Sequence, residues 1–116
     1  MKYLTILFFF LIGSCSKQIP FEKEKWNVYI DGFYENREFM IENLLSKNII
    51  IGKKFDELED IFGDLVINET LQKRIISQNI ITDYGWDIDP VETLDLVIHL
   101  DKNNVAIKTE LVKWKR

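Results

Sequence analysis

Hydrophobic residues recur at helical spacing in two stretches of the first half of the chain. Between Asn36 and Ser46 they form a wide apolar face at intervals of three and four, and Asn36 is a suitable N-cap. A second amphipathic stretch runs from Lys54 to Phe62, with acidic residues on its opposite side. Gly63 follows directly, as is common where a helix ends in a left-handed residue. These patterns predict two helices.

The second half of the chain alternates between apolar and polar residues with a period of two. The alternation is regular from Leu94 to Asp101, which is typical of a strand with one buried face. Lys102-Asn103-Asn104 predicts a turn, because asparagine tolerates positive φ, and Val105 to Trp114 is the expected partner strand. Ile80 to Trp86 is predicted to add a third strand, followed by a loop at Asp89-Pro90.

The order of these elements predicts an α+β fold. Two N-terminal helices are expected to pack on a three-stranded antiparallel β-meander, in the order α-α-β-β-β. Val66 to Gln78 fits either a short helix or a strand that continues into the next residues. Trp26 to Tyr34 is rich in aromatic residues, but Gly32 interrupts its periodicity, so it is predicted to be an irregular arm. Residues 26–116 are predicted to form a single small domain.

The N-terminal stretch differs in composition from the rest of the chain. Lys2 precedes an apolar run from Leu4 to Ile12, which is shorter than the roughly 20 residues that a membrane-spanning helix needs. A positive charge followed by such a run is typical of a secretory signal peptide, and Gly13 and Ser14 supply the small residues before the cleavage site. The alternative is a buried N-terminal strand that carries Cys15 incidentally.

Leu11-Ile12-Gly13-Ser14-Cys15 resembles the lipobox of bacterial lipoproteins. This resemblance implies that residues 1–14 are a signal peptide and that Cys15 is acylated as the first residue of the mature chain. Residues 15–25 are then the lipidated N-terminus and a flexible tether. Ser16 is similar to the residue that follows the cysteine in lipoproteins passed on to the outer membrane. The implied location is the outer membrane, with the domain held by lipid and facing the periplasm.

The charge of the chain restricts its possible partners, and its cysteine content restricts its disulfides. The chain has 116 residues, with 15 Lys and Arg against 19 Asp and Glu, a formal net charge of −4 and no basic cluster. Nucleic acid is therefore not expected as a partner, because phosphate binding needs concentrated Lys and Arg. Cys15 is the only cysteine, so the chain forms no internal disulfide and its fold depends on packing. No small-molecule substrate is evident.

Few residues could carry catalysis or bind a metal. His99 is the only histidine, and without a nucleophile or a second ligand it forms neither a hydrolytic triad nor a zinc site. Asp83, Asp87 and Asp89 surround Tyr84-Gly85-Trp86, but they have no recognised metal-binding spacing. We therefore expect no enzyme, no catalytic residue, no metal and no cofactor. Only a cluster of these aspartates with His99 in a pocket would revive an enzymatic interpretation.

Three segments follow one another in an order that a known family shares. They are NIIIGKKFDELEDIFG, a strand with Tyr84 and Trp86, and LDLVIHLDKNNVAIKTELV. In this order the chain resembles the BamE-like (SmpA/OmlA-like) outer-membrane lipoproteins of the β-barrel assembly machinery, over residues 36–114. The resemblance implies the α-α-β-β-β scaffold, which β-lactamase inhibitor proteins also use, and an outer-membrane location.

These observations predict a lipid-anchored cell-envelope protein that binds another envelope protein, as a scaffold in outer-membrane assembly or maintenance. The alternative function is an inhibitor or immunity-type lipoprotein that binds a periplasmic enzyme. Tyr and Trp are common at interfaces, whereas any one of them could instead complete the core. The candidate partner-binding residues are the aromatic residues Trp26, Tyr29, Phe33, Tyr34, Tyr84 and Trp86.

Overall fold

A computed structural model of the protein describes residues 18–70, 72–84 and 92–115. In this part of the chain, helices and strands form a two-stranded hairpin, a helical layer and a four-stranded antiparallel sheet. The elements in chain order are α1 (Lys23–Trp26), β1 (Tyr29–Ile30), β2 (Phe33–Tyr34), α2 (Arg37–Ser46), α3 (Phe55–Phe62), β3 (Asn68–Glu69), β4 (Arg74–Asp83), β5 (Glu92–Leu100) and β6 (Ala106–Lys115).

The predicted α-α-β-β-β fold with a three-stranded meander is wrong. The fold is α+β, but its sheet has four strands in the order β3-β4-β5-β6, and a separate β1-β2 hairpin precedes α2. The added strands β1, β2 and β3 have two residues each, which is too short for a period-two pattern to be visible. The ambiguous stretch from Val66 to Gln78 is extended where β3 and β4 cross it.

Both predicted helices are present, and their ends follow from local hydrogen bonds. Glu57 in the first turn of α3 accepts the backbone N–H of Lys54 at 2.9 Å. At the other end of α3, the Gly63 N–H donates to the Glu59 carbonyl, and Gly63 has a φ of 102°. Asn36 precedes α2 as predicted, but its side chain donates to the Lys25 carbonyl instead of capping the helix.

The long strands β4, β5 and β6 pair antiparallel, with one register shift in each pair. Ile76 pairs with Ile98 and Gln78 with Leu96, and an irregularity between Asn79 and Ile81 bends β4. The predicted turn between β5 and β6 is confirmed, since Asn104 has a φ of 63°. The Asp101 carboxylate stabilises this turn by accepting the N–H groups of Asn103 and Val105.

The core lies between the helices and one face of the sheet. Its largest fully buried side chains come from every layer, so the helices and the sheet share one core. These side chains are Trp26, Phe62, Met40, Leu44, Leu58, Ile76, Ile80, Leu96 and Ile98.

The chain is already packed at Gln18, ahead of the predicted domain start at Trp26. The Ile19 N–H donates to the Phe39 carbonyl at 2.7 Å, and the Phe21 N–H donates to Asn43 Oδ1 at 2.9 Å. The side chains of Ile19 and Phe21 also pack against the core. The described part of the segment assigned to the tether therefore belongs to the folded domain. The predicted signal peptide and Cys15 lie outside the described residues.

Candidate partner-binding surface

A tight β-hairpin replaces the predicted irregular arm. Tyr29 pairs with Tyr34 and Ile30 pairs with Phe33. Asp31 and Gly32 make the turn, with φ values of 53° and 88°. A type I′ turn needs positive φ at both central residues, and an Asp-Gly pair between apolar residues is a strong sequence signal for it. The prediction of an irregular arm is wrong, because Gly32 does not interrupt a regular element but forms, with Asp31, the turn of a hairpin.

The hairpin presents aromatic side chains that contact one another and the end of β4. The Tyr29 and Tyr34 rings lie 4.7 Å apart between centroids, and the Phe33 ring meets the Tyr84 ring edge-on at 5.6 Å. Tyr29 is 59% exposed, Ile30 50% and Phe33 39%. We call these five residues, Tyr29, Ile30, Phe33, Tyr34 and Tyr84, the aromatic surface. The structure thus brings together four of the six predicted partner-binding residues.

Trp26 takes the other role that the sequence left open, a place in the core. Its side chain is fully buried, and its indole N–H donates to Gln78 Oε1 at 2.7 Å. Its ring lies 5.4 Å from Phe21 and 5.6 Å from Phe62 between centroids. Trp26 therefore offers no surface to a partner in this structure. Trp86, the sixth predicted residue, lies outside the described residues.

Arg37 holds the hairpin against the domain, a role that the sequence did not indicate. Its Nε donates to the Trp26 carbonyl at 2.9 Å and its Nη1 to the Asn79 carbonyl at 2.8 Å. Its guanidinium lies 3.3 Å from the centroid of the Tyr34 ring, a cation–π contact. The side chain is buried, and this burial lowers the pKa of Arg37 to about 10. One guanidinium thus joins α1, β2 and β4.

A groove of about 200 Å³ runs beside the aromatic surface. The hairpin and the start of α2 form one wall, and β4 at its irregularity forms the other. Both aromatic residues of β2 and two glutamates contribute to it, so its lining is partly aromatic and partly acidic. Its lining residues are Phe33, Tyr34, Glu35, Glu38, Ile80, Ile81 and Thr82.

Asp83 and His99 do not meet, although the sequence left that possibility open. Asp83 pairs with Glu92 at one end of β5, and His99 lies seven positions further along the same strand. At about 3.3 Å per residue the two side chains are on the order of 20 Å apart. His99 Nε2 instead lies 2.6 Å from Glu110 Oε2, and its hydrogen bond lowers the pKa of Glu110. Asp87 and Asp89 lie outside the described residues.

Comparisons with protein-family models, curated proteins and solved structures gave no match to this chain. Within residues 18–70, 72–84 and 92–115, no group of three or more His, Cys, Asp or Glu side chains could hold a metal ion. No helix in the same ranges is long and apolar enough to cross a membrane. An assignment of function therefore depends on the aromatic surface, the groove and the sequence of the N-terminus.

Proposed function

We propose that the protein is a lipid-anchored module of the bacterial outer membrane, facing the periplasm, that binds another envelope protein through the aromatic surface. One observation carries this proposal: a hairpin with a tight turn presents Tyr29, Ile30 and Phe33 to solvent. Aromatic residues bury a large area on binding and dominate the energetics of interfaces. The resemblance to BamE-like lipoproteins supports the location only, because the scaffold that it implied is wrong.

The aromatic surface is held in one arrangement before a partner binds. The Arg37 guanidinium packs on the Tyr34 ring, and the Phe33 ring packs on Tyr84 from a different element. A surface that is already ordered loses less conformational entropy on binding than a mobile loop does. This order favours recognition of a defined partner surface.

The proposed lipid anchor would hold the aromatic surface close to the membrane. Three peptide steps separate Cys15 from Gln18, and an extended chain spans at most about 3.6 Å per residue, or roughly 10 Å in total. Gln18 is bound to α2, since its Nε2 donates to the Glu38 carbonyl, and Glu38 also lines the groove. The surface thus fits a partner that is itself in or on the membrane.

Replacing Cys15 with alanine is expected to abolish lipid attachment. Cells grown with an alkyne-labelled palmitate should label the wild-type protein and leave Cys15→Ala unlabelled, because the proposed diacylglycerol is attached through the sulfur of this residue and the proposed amide-linked acyl chain follows on its amine. The wild type should fractionate with outer membranes, whereas the variant should not. Label retained in Cys15→Ala would contradict the anchor.

Partner binding is tested by removing the exposed aromatic rings. We expect Tyr29→Ala/Phe33→Ala to reduce co-purification of the partner from detergent-solubilised membranes by at least about tenfold, because central aromatic residues contribute about 2 kcal/mol or more at interfaces. The matched control is Ile107→Ala/Trp114→Ala, which removes two exposed apolar side chains from β6. Quantitative mass spectrometry of both eluates measures the ratio.

The identity of the captured protein separates the two functions that the sequence suggested. An integral or peripheral envelope component would support the proposed scaffold. A soluble periplasmic enzyme captured in a one-to-one complex would support the inhibitor or immunity function instead. Equal capture by the Tyr29→Ala/Phe33→Ala variant and the wild type would contradict both, since each uses the aromatic surface.

A further inference from the structure

We propose that the groove beside the aromatic surface binds a lysine or arginine side chain of the partner. This inference rests on the proposed function and names the chemistry that the partner must present. It follows from the charge of the groove, from its aromatic wall and from its size.

Among the residues that the structure describes, no basic side chain neutralises the carboxylates at the groove. Glu35 and Glu38 are exposed, and neither forms an ion pair with any residue that the structure describes. Arg37 lies between them in the sequence, but it is buried and donates to Trp26 and Asn79. A cation that enters the groove would therefore meet negative charge without displacing an existing ion pair.

The aromatic wall suits a cation as well. The rings of Phe33 and Tyr34 line the groove, and the faces of aromatic rings attract ammonium and guanidinium groups. One face of the Tyr34 ring is already occupied by the Arg37 guanidinium, which lies 3.3 Å from its centroid, so Phe33 is the aromatic side chain that a cation of the partner would contact. Opposite the rings, the exposed Ile81 supplies an apolar surface for the aliphatic stem of a long basic side chain.

The groove has room for one side chain rather than for a helix or strand. Its volume of about 200 Å³ is below the roughly 300–1,000 Å³ of typical ligand clefts. A single basic side chain with its stem on Ile81 and its charged end beside Glu35 and Glu38 would contact both the apolar and the acidic residues of the lining. An acidic partner residue would be repelled by the same two carboxylates.

The inference is tested with two probes of nearly the same shape, of which only one is charged. The full chain, purified from membranes in detergent and labelled with ¹³C at the isoleucine methyl groups, is titrated with N-acetyl-arginine methylamide and with the citrulline analogue. We expect the Ile80 and Ile81 methyl signals to shift and saturate with the arginine probe. The citrulline probe should bind at least about fivefold more weakly, and the Ile107 methyl on β6 should be unaffected by both.

Charge-neutral variants provide the second readout. Glu35→Gln/Glu38→Gln should lower the affinity for the arginine probe by about threefold to tenfold, because each exposed ion pair contributes up to about a fivefold change in affinity. The control Glu24→Gln/Asp60→Asn removes the same charge at exposed positions outside the groove and should leave the affinity unchanged. Equal binding of the arginine and citrulline probes, or no loss in Glu35→Gln/Glu38→Gln, would overturn the inference.

These outcomes are separate from those that test the proposed function. If the arginine probe binds the groove but Tyr29→Ala/Phe33→Ala captures the partner normally, the groove is cation-binding and the proposed interface is wrong. If Tyr29→Ala/Phe33→Ala loses the partner while the arginine and citrulline probes bind equally, the proposed interface is supported. The proposed binding of a basic side chain in the groove is then wrong.

Discussion

Replacing Trp26 with alanine should lower the free energy of unfolding by about 3–5 kcal/mol, the usual range for removing a buried aromatic side chain. The Trp26 ring contacts the Phe21 and Phe62 rings, so its loss opens a cavity where α1 meets α3. The substitution also leaves Gln78 Oε1 without the indole N–H that it accepts in the core. An unpaired buried acceptor adds its own cost of about 1–3 kcal/mol, part of which relaxation recovers.

The matched control for this result is Trp114→Ala. Trp114 is 49% exposed on β6, so its loss removes the same side chain from a half-exposed position outside the core. Urea unfolding followed by circular dichroism should show a large decrease in the midpoint for Trp26→Ala and a change of at most about 1 kcal/mol for Trp114→Ala. Similar losses in both variants would mean that Trp26 is not in the core. The same outcome would return Trp26 to the list of candidate contact residues.

Replacing Arg37 with methionine should destabilise the fold by about 3 kcal/mol. The methionine keeps much of the packing volume but donates no hydrogen bonds, so the Trp26 and Asn79 carbonyls and Asn27 Oδ1 lose their donor. Those three acceptors lie on α1, on β4 and in the link between α1 and the hairpin. A guanidinium can bind all three at once, because it is planar and carries several N–H donors. The loss should therefore exceed that from removing any single hydrogen bond.

Arg37→Lys distinguishes this account from a simple effect of charge. Lysine keeps the positive charge but lacks the planar arrangement of N–H donors of a guanidinium, so Arg37→Lys should recover less than half of the stability lost in Arg37→Met. Lys108→Met, which removes an exposed cation from β6, should change stability by at most about 0.5 kcal/mol. Chemical denaturation of all three variants provides the comparison. Full recovery of stability by Arg37→Lys would contradict the proposed role of the hydrogen bonds.

The elements that periodicity specified were found where the sequence placed them. The apolar positions of α2 and α3 repeat every three or four residues, and Leu94, Leu96, Ile98 and Leu100 recur at every second position of β5, so each pattern extends over several repeats. The turn at Asn104 was also predictable, because it depends on the tolerance of asparagine for positive φ. Local chemistry of this kind does not depend on the rest of the fold.

The errors arose where local patterns were short or where tertiary contacts decided the outcome. The β1-β2 hairpin was not predicted, although Asp31-Gly32 is typical of its type I′ turn. The burial of Arg37 could not be predicted, since charged residues in the first turn of a helix are usually exposed and its partners lie up to 42 positions away. The same holds for Trp26, whose hydrogen-bond partner is Gln78.

The candidate site was predictable in composition but not in geometry. Aromatic enrichment pointed to Tyr29, Phe33, Tyr34 and Tyr84, and the structure brings these four together. Nothing in the sequence separated them from Trp26, because exposure depends on which side of the hairpin and of α1 faces the sheet. The groove was not predicted either, since Glu38 and Ile81 meet only through the packing of α2 on β4.

The most direct test of the central claim is photocrosslinking in living cells from a single position of the aromatic surface. A photoreactive phenylalanine analogue replaces Phe33 in the full chain, and the same analogue at Trp114 serves as the control, because both positions are exposed. We expect illumination to give one dominant adduct with an envelope protein from position 33 and none of comparable yield from position 114. No adduct from position 33, or the same adducts from both positions, would contradict a partner-binding role for the aromatic surface.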